Sequence, residues 1–87
     1  PRLHHLRVAD GRREIDVVAE VGARRLIAIE VKATAAPEPG DAVHLRGVRR
    51  ETEGTHDITT VLLHTGAHTV TFDDGTVATP IASLWEA

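Results

Sequence analysis

The chain has 87 residues, of which 41% are hydrophobic and 26% charged, and its formal net charge is -3. This composition is typical of one small globular domain, and its apolar runs are too short to span a bilayer. The absence of cysteine excludes disulfides and thiolate zinc sites and, with no signal peptide pattern, predicts a cytoplasmic location. Because the chain has no initiating Met and opens on a strand-like segment, we expect residues 1–87 to be a single domain cut from a longer protein.

Two β-hairpins are predicted in the first part of the chain. Residues 3–9 and 14–21 are strand-like and flank Asp10-Gly11, a dipeptide typical of tight turns. Residues 25–33 form a third strand, rich in Ile and Val, after a loop over residues 22–24 that contains glycine. The sequence therefore predicts three consecutive antiparallel strands.

The second hairpin has one apolar face and one mixed face, because successive side chains of a strand point to opposite sides. We expect the two apolar faces to build the same core, and this fixes the register. A three-residue loop then pairs Val21 with Arg25 and Val17 with Ile29. The predicted core residues are Ile15, Val17, Ala19 and Val21 on one strand and Ile27, Ile29, Val31 and Ala33 on the other.

The same register sets Asp16 directly opposite Glu30, although two carboxylates facing each other across a ladder repel. A divalent cation such as Mg²⁺ or Mn²⁺ removes this conflict and keeps coordination positions for a phosphate and a water molecule. Lys32, the only lysine beside nine arginines, projects from the same face. There its ammonium can stabilise charge on a phosphate. The alternative is a solvated strand face on which Lys32 pairs with Glu14.

A resemblance to a known superfamily rests on these residues. Asp16, a hairpin and then Glu30-Val31-Lys32 resemble the PD-(D/E)XK nucleases. Over nearly the whole chain, the segments "GRREIDVVAEVGARRLIAIEVKA", "VLLHTG" and "TPIASLW" are similar to the C-terminal domain of unknown function of bacterial AAA+ ATPase-like proteins. The resemblance implies Asp16, Glu30 and the carbonyl of Val31 as metal ligands and Lys32 as the catalytic lysine.

The resemblance also implies a restriction-endonuclease-like fold and an ATPase domain in the parent chain. The chain departs from the superfamily pattern in two respects. The helix that usually precedes the first strand, with a further acidic residue, has no counterpart here, and no proline precedes Asp16. Many members of the superfamily have kept the fold and lost catalysis. The resemblance is therefore compatible with an active nuclease domain and with a catalytically inactive one.

After Lys32, a proline-containing loop leads to a helix predicted over residues 42–52, with Asp41 as its cap and Gly54 after its end. Residues 57–65 form a strand, and a crossover of this length makes it parallel to residues 25–33. The predicted fold is α/β, a mixed sheet of antiparallel hairpins plus one parallel strand with a crossover helix.

The predicted helix carries three arginines at i, i+3 and i+4, namely Arg46, Arg49 and Arg50. They form a basic patch that either binds nucleic-acid phosphates or is a solvated helix face. A net charge of -3 argues against strong nonspecific DNA binding, because counterion release needs clustered cations with few acids nearby. The patch therefore predicts DNA as a partner only through local contacts.

The end of the chain predicts a small hairpin around "DDG" and a helical tail from Pro80, in which Leu84 and Trp85 are buried. No histidine shows metal-ligand spacing such as H-E-x-x-H. His5 either approaches the site from the first strand or is an exposed or hydrogen-bonded histidine, and the second interpretation is favoured. The other histidines after residue 5 are interpreted as surface or packing residues: His44, His56, His64 and His68.

Three functions follow from these observations. The first is a Mg²⁺- or Mn²⁺-dependent DNA phosphodiesterase that is accessory to an ATPase. The second is a catalytically inactive nucleic-acid-binding or regulatory domain, and the third is a dimerisation module that uses an exposed sheet edge. The chain is not itself the ATPase, since it contains no G-x-x-x-x-G-K-S/T phosphate loop.

Overall fold

One mixed β-sheet organises the chain in a computed structural model, which describes residues 2–9 and 14–85 and the side chains of Leu3 and residues 16–83. The strands are β1 (Arg2–Ala9), β2 (Glu14–Gly22), β3 (Arg25–Val31), β4 (Asp57–His64), β5 (Val70–Thr71) and β6 (Val77–Pro80). They lie in the order β1-β2-β3-β4-β6-β5. The helix α1 (Val43–Thr52) follows a 3-10 helix (Pro39–Ala42), and a second 3-10 helix (Ile81–Trp85) follows β6.

Both predicted hairpins are present, since β1 pairs antiparallel with β2 and β2 pairs antiparallel with β3. Val17 lies opposite Ile29, as expected. The turn differs from the prediction, because Gly22 and not Val21 pairs with Arg25. A bulge between Glu20 and Gly22 absorbs the extra residue, so the register beyond it is unchanged. The Asp10-Gly11 turn lies outside the described residues.

The core lies on the mixed face of the hairpin, and the prediction that the apolar face forms it is wrong. The buried core residues are Val18, Leu26, Ala28, Ala42, Leu45, Leu62, Phe72 and Ala78. On the opposite face, Val17, Ile27 and Ile29 are only partly buried, and Val21 is 53% exposed. The reason is topological, since the crossover after β3 decides which face of the sheet the helix covers.

The helix begins one residue later than expected, at Val43, and Asp41 does not cap it. The chain enters α1 through the preceding 3-10 turn, where Oδ2 of Asp41 accepts a hydrogen bond of 2.8 Å from the backbone N–H of Glu38. The carboxylate is therefore used one turn earlier than the sequence suggests. Gly54 follows the helix with a positive φ of 84°, as predicted for a glycine that ends a helix.

The second half of the sheet confirms the predicted crossover. Strand β4 pairs parallel with β3, and the predicted C-terminal hairpin is formed by β5 and β6. Strand β6 also pairs parallel with β4, so the hairpin extends the same sheet. The helical tail is a 3-10 helix, and the side chains of Leu84 and Trp85 lie outside the described residues.

The result is the predicted α/β fold, a mixed sheet with one crossover helix, in the arrangement of a restriction-endonuclease-like sheet. Across residues 2–9 and 14–85, none of the helices combines the length and apolar character that crossing a bilayer requires. The face of β2 and β3 that carries the acids is the face beneath α1. Any ligand site there is built by both the sheet and the helix.

Candidate functional site

Three side chains from three different elements meet beneath the start of α1. They are Asp16 from β2, Glu30 from β3 and His44 from the first turn of the helix, and each offers a donor atom within 4.8 Å of the other two. Asp16 and Glu30 are direct partners in the β2–β3 ladder, as the sequence predicts. His44 was interpreted from the sequence as a surface or packing residue and is the member of the group that sequence reasoning missed.

Glu30 is the centre of this group and is completely buried, with 0% of its surface exposed. Its Oε2 lies 3.3 Å from Nδ1 of His44 and 3.8 Å from Nζ of Lys32. Its other oxygen, Oε1, has no hydrogen-bond partner among the residues that the structure describes. A buried acceptor left in this state costs about 1–3 kcal/mol. Oε1 can therefore still accept a hydrogen bond or bind a cation.

Burial raises the pKa of Glu30 above its ordinary value. The hydrogen bond from His44 opposes this shift, the negative charge of Asp16 adds to it, and the charges of Lys32 and His44 oppose it. The net direction is upward. In the absence of a further positive charge, the ionised form of Glu30 is thus less favourable in the folded protein than in water.

Lys32 lies at the mouth of the group, as the sequence predicts. Its Nζ is 3.8 Å from Oε2 of Glu30 and 3.7 Å from Oδ1 of Asp41, and its side chain is 16% exposed. The backbone N–H of Lys32 donates to the carbonyl of Leu63 at 2.9 Å, which continues the parallel ladder past the end of β3. The alternative pairing with Glu14 involves a side chain outside those described. Lys32 thus bridges the buried acid and the entrance to the helix.

The remaining residues of the predicted metal set lie at the end of β3. Val31 is the last residue of this strand and pairs with Ile15 and Leu63. Its carbonyl as a metal ligand stays a prediction. His5, one of whose two interpretations was an approach to the site, has a side chain outside those described.

A cleft of about 290 Å³ opens beside the acid group. Its lining includes Asp16 from the sheet and His44, Gly47, Val48 and Glu51 from one flank of α1. The His44 side chain is 47% exposed, so solvent reaches the group past the imidazole. The site therefore combines a fully buried carboxylate with an open approach from one side.

The three arginines do not line this cleft. Together with Glu53, Asp57 and Asp74, they line a separate groove on the other flank of α1. The charges in this groove are mixed, and Arg50 is the most exposed of the three arginines. The structure therefore separates the predicted phosphate-binding residues from the predicted metal ligands by the width of one helix.

Two of the arginines also have structural partners. Nη1 of Arg46 donates to the carbonyl of Pro39 at 2.7 Å, and Nη2 of Arg49 donates to Oγ1 of Thr60 at 2.6 Å. The Thr60 hydroxyl is itself 2.7 Å from that of Thr76, and both threonines are buried. Arg49 thus ties α1 to strand β4 and to the C-terminal hairpin.

A family model described as "Domain of unknown function (DUF4143)" matches residues 1–84. The chain belongs to this family. The match covers all of the elements that build the acid group. No curated protein and no solved structure matches the chain. The family supplies no activity, so a functional assignment depends on the chemistry of the site.

Proposed function

We propose that the chain is a metal-dependent phosphodiesterase domain of the PD-(D/E)XK type that acts on DNA. The observation that carries the proposal is the environment of Glu30, a fully buried carboxylate set opposite Asp16 and within 4 Å of both Lys32 and His44. Two carboxylates placed opposite each other on neighbouring strands repel, and the burial of Glu30 adds a desolvation cost, so this arrangement gives a stable core no advantage. A cation-binding function accounts for their placement.

The residues fit a divalent cation. The carboxylates of Asp16, Glu30 and Asp41 outnumber the ammonium of Lys32, and Glu51 adds a further acid on the cleft wall, so the charged groups of the site are net negative. A divalent ion would offset this negative charge. Asp16 and Glu30 would hold Mg²⁺ or Mn²⁺, with the carbonyl of Val31 as a further ligand. When bound, such an ion polarises a phosphoryl oxygen and makes a bound water more acidic.

Lys32 supplies the second positive charge of the proposed mechanism. Its ammonium lies 3.8 Å from Oε2 of Glu30 and 3.7 Å from Oδ1 of Asp41, and its side chain is 16% exposed. From there it can donate a hydrogen bond to a phosphate oxygen and stabilise the charge that develops during hydrolysis. A compact ammonium with three donors suits this role better than a planar guanidinium, which agrees with a lone lysine among nine arginines.

The proposed partners are DNA, an ATPase domain and a second copy of the chain. DNA would have to contact both flanks of α1, because Arg46 and Arg50 line the groove on the flank opposite the acid cleft. The role beside an ATPase domain follows from the sequence resemblance. A dimer would use the outer edge of β1 or β5, the two strands that end the described sheet.

Plasmid nicking tests the proposal directly. We expect the protein to nick supercoiled DNA with Mn²⁺ or Mg²⁺ and to lose this activity in EDTA. Glu30→Gln and Lys32→Ala should each abolish nicking, whereas His68→Ala, an exposed histidine between β4 and β5, should not. If the purified protein cuts no DNA with either ion, the phosphodiesterase proposal is abandoned.

The same variants distinguish the silent nucleic-acid-binding function. In that case DNA binding is salt-dependent, survives Glu30→Gln and weakens in Arg46→Ala or Arg50→Ala. Arg49→Ala is less informative, because this side chain also holds α1 to Thr60.

A further inference from the structure

We infer that His44 is a third protein ligand of the cation site and that it makes the site prefer first-row transition-metal ions over Mg²⁺ and Ca²⁺. The inference rests on the proposed function in that it uses the same site. It goes further, because it identifies the preferred class of ion and assigns a role to a residue on α1. Imidazole nitrogen suits Zn²⁺, Fe²⁺ and Ni²⁺, whereas Mg²⁺ and Ca²⁺ favour oxygen ligands alone.

The spacing of the donor atoms supports this assignment. Nδ1 of His44 lies 3.3 Å from Oε2 of Glu30. Nitrogen and oxygen ligands lie about 2.0–2.2 Å from a zinc-sized ion, so two ligands at right angles are about 3 Å apart. The pair therefore already has the spacing of two neighbouring ligands. Asp16 completes a set of three donors, all within 4.8 Å of one another.

A simple hydrogen bond between His44 and Glu30 explains less of the site. It satisfies only Oε2, whereas Oε1 is buried and has no hydrogen-bond partner within the described part of the chain. It also does not relieve the repulsion between the carboxylates of Asp16 and Glu30, which are direct partners in the ladder. A shared cation accounts for both carboxylates and for the imidazole.

The position of His44 suits an ion that must also contact a substrate. The side chain is 47% exposed, so the ring lies at the border between the buried carboxylate and the open cleft. A neutral imidazole adds a ligand without adding charge, so the site keeps the net negative charge that favours a cation. Three protein ligands leave positions open for water or phosphate.

Isothermal titration calorimetry with Zn²⁺, Mn²⁺ and Mg²⁺ tests the inference, on the parent protein and on three variants. We expect the parent to bind Zn²⁺ and Mn²⁺ more tightly than Mg²⁺. His44→Ala should weaken Zn²⁺ binding by about tenfold to a hundredfold, on the scale of losses around metal sites, and change Mg²⁺ binding much less. Glu30→Gln should weaken all three ions, and His68→Ala should behave as the parent does.

Electron spin-echo spectroscopy of bound Mn²⁺ gives a second readout that does not depend on binding affinity. A ligand nitrogen should produce a ¹⁴N modulation in the parent protein, and this modulation should disappear in His44→Ala. Circular dichroism of His44→Ala checks that the fold is kept, which we expect for a half-exposed side chain.

The outcomes separate the two proposals. If Glu30→Gln removes ion binding but His44→Ala weakens all ions equally or not at all, the role of His44 is refuted and the cation site stands. An absent ¹⁴N modulation in Mn²⁺-loaded parent protein refutes it as well. If the parent binds none of the ions, the inference and the proposed function fail together.

Discussion

Glu30→Gln should stabilise the metal-free protein at neutral pH. The substitution keeps the shape of a fully buried side chain and removes a charge that faces Asp16. The pKa of Glu30 is raised, mainly by burial, which means that its ionised form is less favourable in the folded state than in the unfolded state. A neutral amide avoids this penalty. It loses the attraction to Lys32, but the net direction of the pKa shift shows that burial and Asp16 outweigh that attraction.

The expected gain is about 1.4 kcal/mol for each pH unit by which the folded-state pKa of Glu30 exceeds its unfolded value, because the amide carries no charge to bury. For a domain of this size, each kcal/mol corresponds to roughly 4–8 °C in the melting temperature. The gain depends on pH with a definite sign. The penalty in the parent is absent below the unfolded pKa of glutamate, about 4.3, and grows as the pH rises toward the higher folded value. The difference between variant and parent should therefore vanish in acid.

Thermal unfolding followed by circular dichroism in EDTA, from acid to neutral pH, measures both effects. Adding a saturating divalent ion should reverse the order of stability, since only the parent has the intact site, and an ion at a hundred times its Kd stabilises by about 2.7 kcal/mol. A Glu30→Gln protein that is less stable than the parent at neutral pH in EDTA would refute our account of the buried carboxylate. So would a stability difference that does not change with pH.

Three further substitutions, one of them a control, test other elements of the fold. Gly66→Ala should lower the free energy of unfolding by more than about 2 kcal/mol, because a Cβ there would lie 2.0 Å from the carbonyl oxygen of Ala35. The melting temperature should fall accordingly. Gly47→Ala is the matched control and should stabilise by up to about 1 kcal/mol, since its Cβ would meet nothing within 4 Å on α1. Asp74→Asn should destabilise at neutral pH in denaturant titrations and match the parent in acid. Burial favours a higher pKa for Asp74, but hydrogen bonds from the backbone and side chain of Thr76 and the nearby arginines outweigh it and lower the pKa. The ionised carboxylate therefore stabilises the folded state at neutral pH, and this stabilisation is lost as the pH falls through the folded-state pKa. Equal destabilisation at both pH values would contradict this.

The pairing of Asp16 with Glu30 was predictable because local rules fix it. Side chains alternate along each strand, and a short turn limits the register to few choices. The bulge at the end of β2 altered the turn without altering that pairing. Lys32 followed from the same alternation, as the residue two positions beyond Glu30.

The buried face and the role of His44 were not predictable in this way. The apolar pattern of Val17 and Ile29 favoured the wrong face, since the crossover helix and not strand hydrophobicity decides which side is covered. His44 is 14 residues from Glu30 along the chain and reaches it only through the loop and the 3-10 turn that set the start of α1. The only feature of the sequence that could have pointed to His44 was its position in the first turn of the helix that follows Lys32.

The short helix α1 contributes side chains to two surfaces at once, His44 and Glu51 to the acid cleft and Arg46 and Arg50 to the opposite groove. An α-helix of ten residues behaves as a stiff rod about 15 Å long. A sideways shift that widened one of these surfaces would narrow the other. A partner that moved α1 from the arginine flank would therefore also move His44 relative to Glu30.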